Sequence, residues 1–300
     1  MTYDDAGSGS PDGPHRHDRQ EECLDRPRDP LPTRVDLCPP LPEPYVDALD
    51  AGLIALGLTL TSEARAAIDG HVRLLLAWNV AINLTAIRNP AAIAIRHVVD
   101  SLAGLAVLRA RQVDRFIDLG SGGGFPGIPL AAALPADRAL LIDSIGKKVR
   151  FLATVVDAVG LADHVAAESA RSESLAESRA DRARWPAVTA RAVAPLAELI
   201  ELALPLLSPS GILVAWKRGD VDDPAGLGGE LGAARRTLGA IDPDGRIAVE
   251  PAFGDRLPAT DNSTDLDALA DHRLVIVERG TGPIAATWPR DPATRRRQPW

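Results

Sequence analysis

Two different hydrophobic periods divide the chain. From Pro42 onward apolar residues recur at helical spacing: Tyr45, Leu49, Leu53 and Leu56, with Gly57 as a stop. Thr61, Ser62 and Glu63 open a second helix, which carries Ile68, Val72, Leu75 and Leu76 toward Trp78 and Asn79. Asn89-Pro90 starts a third, through Ile93, Ile95, Val98 and Leu102. These helices predict a helical cap over residues 39–112. The period then changes to short apolar runs at 115–119, 139–143, 163–167, 187–191 and 211–217, each bounded by turn residues. Helical stretches at 128–134, 147–159 and 196–207 lie between them. Strands alternating with helices through short links predict a mostly parallel sheet covered on both faces. A polar helix near 228–239 precedes two late strands, 246–250 and 273–278, with no clear helix between them. That pair predicts an antiparallel edge strand. The expected core is therefore an α/β, Rossmann-like domain over residues 113–281, with the cap before it.

Composition adds the flanks. Residues 1–38 are rich in Asp, Gly, Pro, Arg and His and poor in apolar side chains, which predicts a disordered leader. Residues 282–300 form a basic tail with Arg290, Arg295, Arg296 and Arg297. With 46% hydrophobic residues the remainder can bury a sizeable core. No apolar run is read as long enough to span a bilayer, so a cytoplasmic protein without a membrane partner is expected. Cys23 and Cys38 show no metal-ligand spacing, and no metal is expected. A net charge of −8 argues against indiscriminate nucleic-acid binding but leaves room for a local basic patch.

Candidate chemistry begins at the end of the first predicted strand. Gly120, Gly122 and Gly124 follow Asp118 as G-x-G-x-G. Such a turn lets the backbone approach a ligand closely. The dinucleotide fingerprint requires glycine three positions after Gly122, where Phe125 stands. A phosphate-binding P-loop requires Lys-Ser/Thr after the last glycine, where Ile128-Pro129 stands. What remains is a site for a nucleoside without pyrophosphate, a description that S-adenosyl-L-methionine (SAM) fits. Asp143 ends the second strand near the spacing at which such folds place a carboxylate on ribose hydroxyls. It is equally suited to cap the following helix.

Five segments in order carry a resemblance: NLTAIR at 83–88, RHVVDSL at 96–102, DLGSGGGFPGIP at 118–129, DSIGKKVRFL at 143–152 and TARAVA at 189–194. Together they closely resemble the bacterial RsmG (GidB) family of 16S rRNA guanine-N7 methyltransferases, over about residues 42–280. The stretch WPRDPAT at 288–294 resembles the basic, Pro-containing tail of some members. The resemblance implies SAM-dependent methylation of a guanine in the decoding-region hairpin of small-subunit rRNA, with 16S rRNA or the small ribosomal subunit as partner. It implies SAM contacts at Gly120, Phe125 and Arg191, and places the family's Ala-Glu pair on Ser172 and Glu173.

Guanine N7 carries an in-plane lone pair and no proton, so its methylation needs no general base. Positioning and electrostatics suffice. His97 and Asp100, one helical turn apart, read either as a hydrogen-bonded pair of the cap or as part of a substrate pocket. Lys217, at the end of the fifth strand, reads either as a phosphate contact or as a snorkelling side chain. Arg88, Arg96, Lys147, Lys148, Arg150 and the tail arginines are candidates for an RNA patch or for solvated faces. The competing functions are a non-catalytic SAM-binding ribosome-assembly factor and an NAD-dependent oxidoreductase.

Overall fold

The computed structural model describes residues 30–253 and 264–300. Seven strands form its sheet: β1 (Arg115–Leu119), β2 (Arg138–Asp143), β3 (Val165–Ser169), β4 (Trp185–Arg191), β5 (Leu207–Arg218), β6 (Arg246–Pro251) and β7 (His272–Glu278). Their order is β3-β2-β1-β4-β5-β7-β6. β1 to β5 are mutually parallel, and β1 and β2 are buried at every position but the first, as expected for strands covered on both faces. The two late strands form the expected antiparallel edge: β7 runs antiparallel to both β5 and β6, and β6 is the outermost strand. Its half-exposed, alternating side chains suit that place.

Twelve α-helices are described. α1 (Glu43–Leu56), α2 (Ser62–Trp78), α3 (Pro90–Ile93), α4 (Asp100–Leu102) and α5 (Leu105–Ala110) precede the sheet. α6 (Gly127–Ala133), α7 (Gly146–Ala158), α8 (Ser172–Glu177), α9 (Leu196–Ala203) and α10 (Leu227–Ile241) link the strands. α11 (Thr264–Asp267) and α12 (Pro292–Arg297) complete the chain. The predicted punctuation operates as expected. Gly57 closes α1 in the left-handed conformation, with its N–H on Ile54 and that of Leu58 on Leu53. The hydroxyl of Thr61 accepts from Ala64 at 3.2 Å at the start of α2, and Asn89 accepts from Ala92 at 3.0 Å before Pro90. Between α3 and α4 the helix widens into a π-helical turn over Ala94–Val99, a rare form that often marks a functional site.

The helical cap is one layer of a single unit, residues 32–300. α2 packs on α6 and α7, and the indole of Trp216 on β5 reaches the carbonyl of Asp100 at 2.7 Å. The opposite sheet face takes Ile117, Leu140, Val188, Leu213 and Val275, which pack with Leu199, Ile200, Leu231 and Leu238 of α9 and α10. The stretch Pro90–Ala110 is long and apolar enough to cross a membrane, contrary to the sequence reading. Its most apolar window is 72% buried within the protein, where it serves as a core helix.

Two flanks also differ from expectation. Residues 1–29 of the predicted leader lie outside the described residues, but 32–38 are packed on α2. Trp78 Nε1 donates to the Pro32 carbonyl at 2.7 Å, Arg73 donates to the Pro39 carbonyl at 2.8 Å and Cys38 is buried. Backbone carbonyls satisfied by two long side chains hold a segment whose own side chains bury little. The tail is likewise docked. Arg290 pairs at 2.7 Å with the fully buried Glu201, which also accepts from Trp300 Nε1 at 2.6 Å. Arg295 pairs with Glu198 at 3.2 Å and with Glu173. Two of the four tail arginines are therefore consumed internally, while Arg296 and Arg297 stay exposed.

Candidate functional site

The chemistry-bearing residues converge at the carboxyl ends of β1, β2, β4 and β5, around a cleft of about 620 Å³. That size and location suit a small-molecule site in an open α/β sheet. β1 delivers the chain into a tight turn in which Gly120 has φ +65° and Gly124 has φ +91°. A Cβ on Gly120 would stand 2.8 Å from Val193, and one on Gly124 would stand 2.7 Å from the His71 ring. Neither position accepts a side chain; Gly122, with φ +56°, would give a Cβ only ordinary contacts from 3.7 Å outward, and it lines the cleft.

Two carboxylates shape this turn. Asp118, fully buried, accepts from the Gly127 amide at 3.1 Å and from Thr189 Oγ1 at 2.7 Å, tying β1 to α6 and β4. Burial pushes its pKa up to about 6 despite those donors. Asp143 accepts from the Gly122 amide at 3.1 Å and from the Ile145 amide at 2.8 Å. It therefore closes the glycine turn and caps the turn before α7, while the cap position of α7 itself falls on Ile145. Ile145, two residues on, is 42% exposed and offers an apolar surface. A glycine cradle, a carboxylate and an exposed aliphatic face match the needs of a nucleoside: close backbone approach, hydroxyl acceptors and a flat apolar ring.

Arg191, at the end of β4, organises the rest. Its guanidinium donates to Asp100 Oδ2 at 2.8 Å, to the Arg96 carbonyl at 3.1 Å and to His97 Nδ1 at 3.2 Å. It also lies over the Phe125 ring, 5.5 Å from its centroid. Because arginine only donates, His97 Nδ1 is an acceptor, and Nε2–H donates to Thr85 Oγ1 at 2.7 Å. Burial, with the Arg191 charge beside it, lowers the His97 pKa to about 3 and keeps the ring neutral. His97 stacks on Phe125 with centroids 4.8 Å apart, and His71 packs on it at 4.6 Å. Burial drives Asp100 upward, but hydrogen bonds from His272 and Arg191 outweigh it and hold the carboxyl below its ordinary value.

The cleft thus gathers Gly120, Gly122, Phe125, His97, Asp100 and Arg191 as expected, with Asp143 directly behind the loop. Lys217 lines it too, but its ammonium is taken by Glu230 at 2.7 Å and by the Ala194 carbonyl at 3.1 Å. Ser172 and Glu173 turn their side chains away: Ser172 Oγ donates to the Leu202 carbonyl at 2.6 Å, and Glu173 pairs with Arg295. Only their main chain is left for a ligand. Of the candidate RNA residues, Arg88, Lys147 and Arg150 are exposed, and Lys148 lies 4.0 Å from Asp143. Sequence reasoning missed Asp118, Thr85, Trp216 and His272. Asp118 was in view as a strand end, whereas His272, 172 residues from its partner Asp100, carried no local signal.

A doubly wound sheet with a reversed β7, opening on this glycine cradle, defines a Rossmann-like class I methyltransferase whose cofactor is SAM. The GidB family profile, described as rRNA small subunit methyltransferase G, matches residues 65–223, and the chain belongs to that family. A Geobacillus thermodenitrificans relative named ribosomal RNA small subunit methyltransferase G is 31% identical over 81% of this chain and 94% of its own length. A Chloroflexus aggregans relative of the same name is 40% identical over 61% of this chain and 74% of its own. Among solved structures, the Bacillus cereus O-methyltransferase in complex with SAH is a distant similarity: TM-score 0.48, 17% identity, 70% of this chain and 91% of that one.

Proposed function

We propose that the chain transfers a methyl group from SAM to N7 of a guanine in 16S rRNA, in the decoding-region hairpin of the small ribosomal subunit. The observation that carries this reading is the joining of family membership to an intact glycine cradle beside Arg191. Gly120, Gly122 and Phe125 would hold the cofactor at the first loop, with Asp143 on its hydroxyls and Ile145 against its base. Arg191 and the main chain of Ser172 and Glu173 would complete the site. When bound, SAM supplies an electrophilic methyl group on a cationic sulfur.

The chain's own residues fit a reaction without proton abstraction. His97 has its acceptor nitrogen committed to Arg191 and its donor committed to Thr85. Asp100 has both oxygens committed, to Arg191 and His272. Neither is free to take a proton, and N7 has none to give. What they do is fix the Arg191 guanidinium against Phe125, with the Asp100 charge balancing it. Catalysis then rests on holding the base in line with the methyl group. A reachable target base is unpaired or splayed, because the deep A-form groove shields N7. Such a substrate places the protein in the cytoplasm, with no membrane partner.

The test is methylation with labelled SAM of small subunits lacking the modification, followed by mapping of the methylated atom. Label at a guanine N7 is expected. Label confined to protein or small molecules would sink the reading, and absence of turnover with tight SAM binding would favour a non-catalytic assembly factor. Tight NADH binding without SAM binding would instead favour an oxidoreductase.

A further inference from the structure

β7 runs antiparallel to β5 with His272 paired to Arg218. The first residue of β7 therefore sits at the same end of the sheet as the last residues of β1, β4 and β5. Across that end Asp143 and the glycine turn occupy one side, on β2 and β1, and Arg191 follows on β4. His272 lies on the far side, three strands from β1 in the order β1-β4-β5-β7. Strands spaced at about 4.8 Å put roughly 14 Å between those walls, enough for a cofactor on one side and a base on the other.

His272 is a wall of the cleft. Its Nδ1 lies 2.7 Å from Asp100 Oδ1, and an ionised carboxylate only accepts, so Nδ1 carries the proton. In the neutral ring Nε2 is then a lone-pair acceptor. Among the described residues it has no hydrogen-bond partner, and it is not sealed from the cleft as the buried, unpartnered His71 Nδ1 is.

We propose that His272 reads the target base, its Nε2 accepting a hydrogen bond from N1–H or the 2-amino group of guanine. The proposal deepens the guanine-N7 reading above and rests on it. Guanine offers only acceptors at N7 and O6, so an acceptor on the protein can meet it only at those two donors. That edge is opposite N7 on the purine. With it seated on His272, N7 points back across the cleft toward the glycine turn. Adenine presents a lone pair at N1, which would face the lone pair of Nε2, so the same contact selects guanine. Asp100 fixes the tautomer that makes this possible.

Two substitutions separate reading from mere packing. His272→Asn keeps an amide N–H where Nδ1 stands, and so keeps Asp100, but has nothing at Nε2. His272→Gln sets an amide oxygen near Nε2 and gives up the Asp100 contact. With small subunits lacking the methyl group, His272→Asn should bind SAM as the wild type does and lose on the order of ten-fold or more in kcat/KM. His272→Gln should retain more of that rate than His272→Asn. Wild-type kcat/KM in His272→Asn, a rate there equal to or above that of His272→Gln, or losses that track SAM affinity in both, would overturn the proposal. If the wild-type enzyme itself fails to label guanine N7, the proposed function falls, an outcome separable from the failure of His272 alone.

Discussion

Arg191 and Asp100, 91 residues apart in the chain, meet at 2.8 Å with the carboxylate 2% exposed. This contact joins the cap to the end of β4, and it sets the geometry of both Phe125 and His97. Removing one partner of a buried ion pair strands the other, so Asp100→Asn should cost about 3 kcal/mol, read by chemical denaturation. Arg191→Lys cannot serve Asp100, His97 and the Arg96 carbonyl together, because its single ammonium lacks the planar fork. It should retain the fold and weaken SAM binding and turnover at least ten-fold (about 1.4 kcal/mol). Unchanged titrations would show that the guanidinium fork has no role in the site.

At Gly120 the φ of +65° and the 2.8 Å approach of Val193 leave no room for a side chain. Gly120→Val should abolish SAM binding in calorimetric titration, since the turn must shift to relieve the clash. α1 and α2 are built on their own caps and should stay folded, as hydrogen exchange would report. Retained affinity would mean that the cofactor does not approach this turn.

Stability should depend on pH in a way set by two opposing buried groups. His71, fully buried, has its pKa lowered to about 4, chiefly by burial, so the stability tied to its neutral form is present above 6.5 and lost as pH falls toward 4. Asp118 is raised to about 6, so its contribution is present below 3.8 and lost as pH rises through 6. Each amounts to roughly 3 kcal/mol, with opposite sign. Asp118→Asn can keep both hydrogen bonds, because Thr189 can turn to accept from the amide. The variant should gain about 2 kcal/mol at pH 7 and then lose stability more steeply than wild type between pH 6.5 and 4. Parallel denaturation series at several pH values would reveal the crossover, and coincident curves would contradict it.

The docked tail gives a fourth prediction. Arg290 satisfies the buried Glu201 and lies over the Trp300 ring, 4.5 Å from its centroid. Arg290→Ala should destabilise by about 3 kcal/mol, because Glu201 keeps its burial without its counter-charge. Adding Glu201→Gln should recover part of that loss, which a double-mutant cycle would measure. Additive effects would mean that the two side chains do not depend on each other.

Much of the molecule was legible in order along the chain. The apolar runs of β1, β2 and β4 and the caps at Thr61, Asn89 and Gly57 act locally, so period and punctuation located them. β3 was expected at 163–167 and forms at Val165–Ser169, in a stretch of small residues without a sharp pattern. Ser172 and Glu173 illustrate a different limit. The family resemblance implied cofactor contact for them, but the direction of a side chain depends on α9 and the tail, which meet them only in the fold.

The sequence by itself determined the strand–helix alternation, the glycine turn and the presence of Asp143, Arg191, His97 and Asp100. Phe125 in the place of a third glycine already separated the turn from a dinucleotide site. Tertiary structure alone decided how these residues are wired: which nitrogen of His97 accepts, that Lys217 is neutralised by Glu230, and that Arg290 and Arg295 are spent on glutamates of the core domain. It also decided that His272 belongs to the cleft. The reason is topological, since only a reversed strand beside β5 brings its first residue to the end where parallel strands finish. A pairing of strands far apart in sequence leaves no periodic trace in either one.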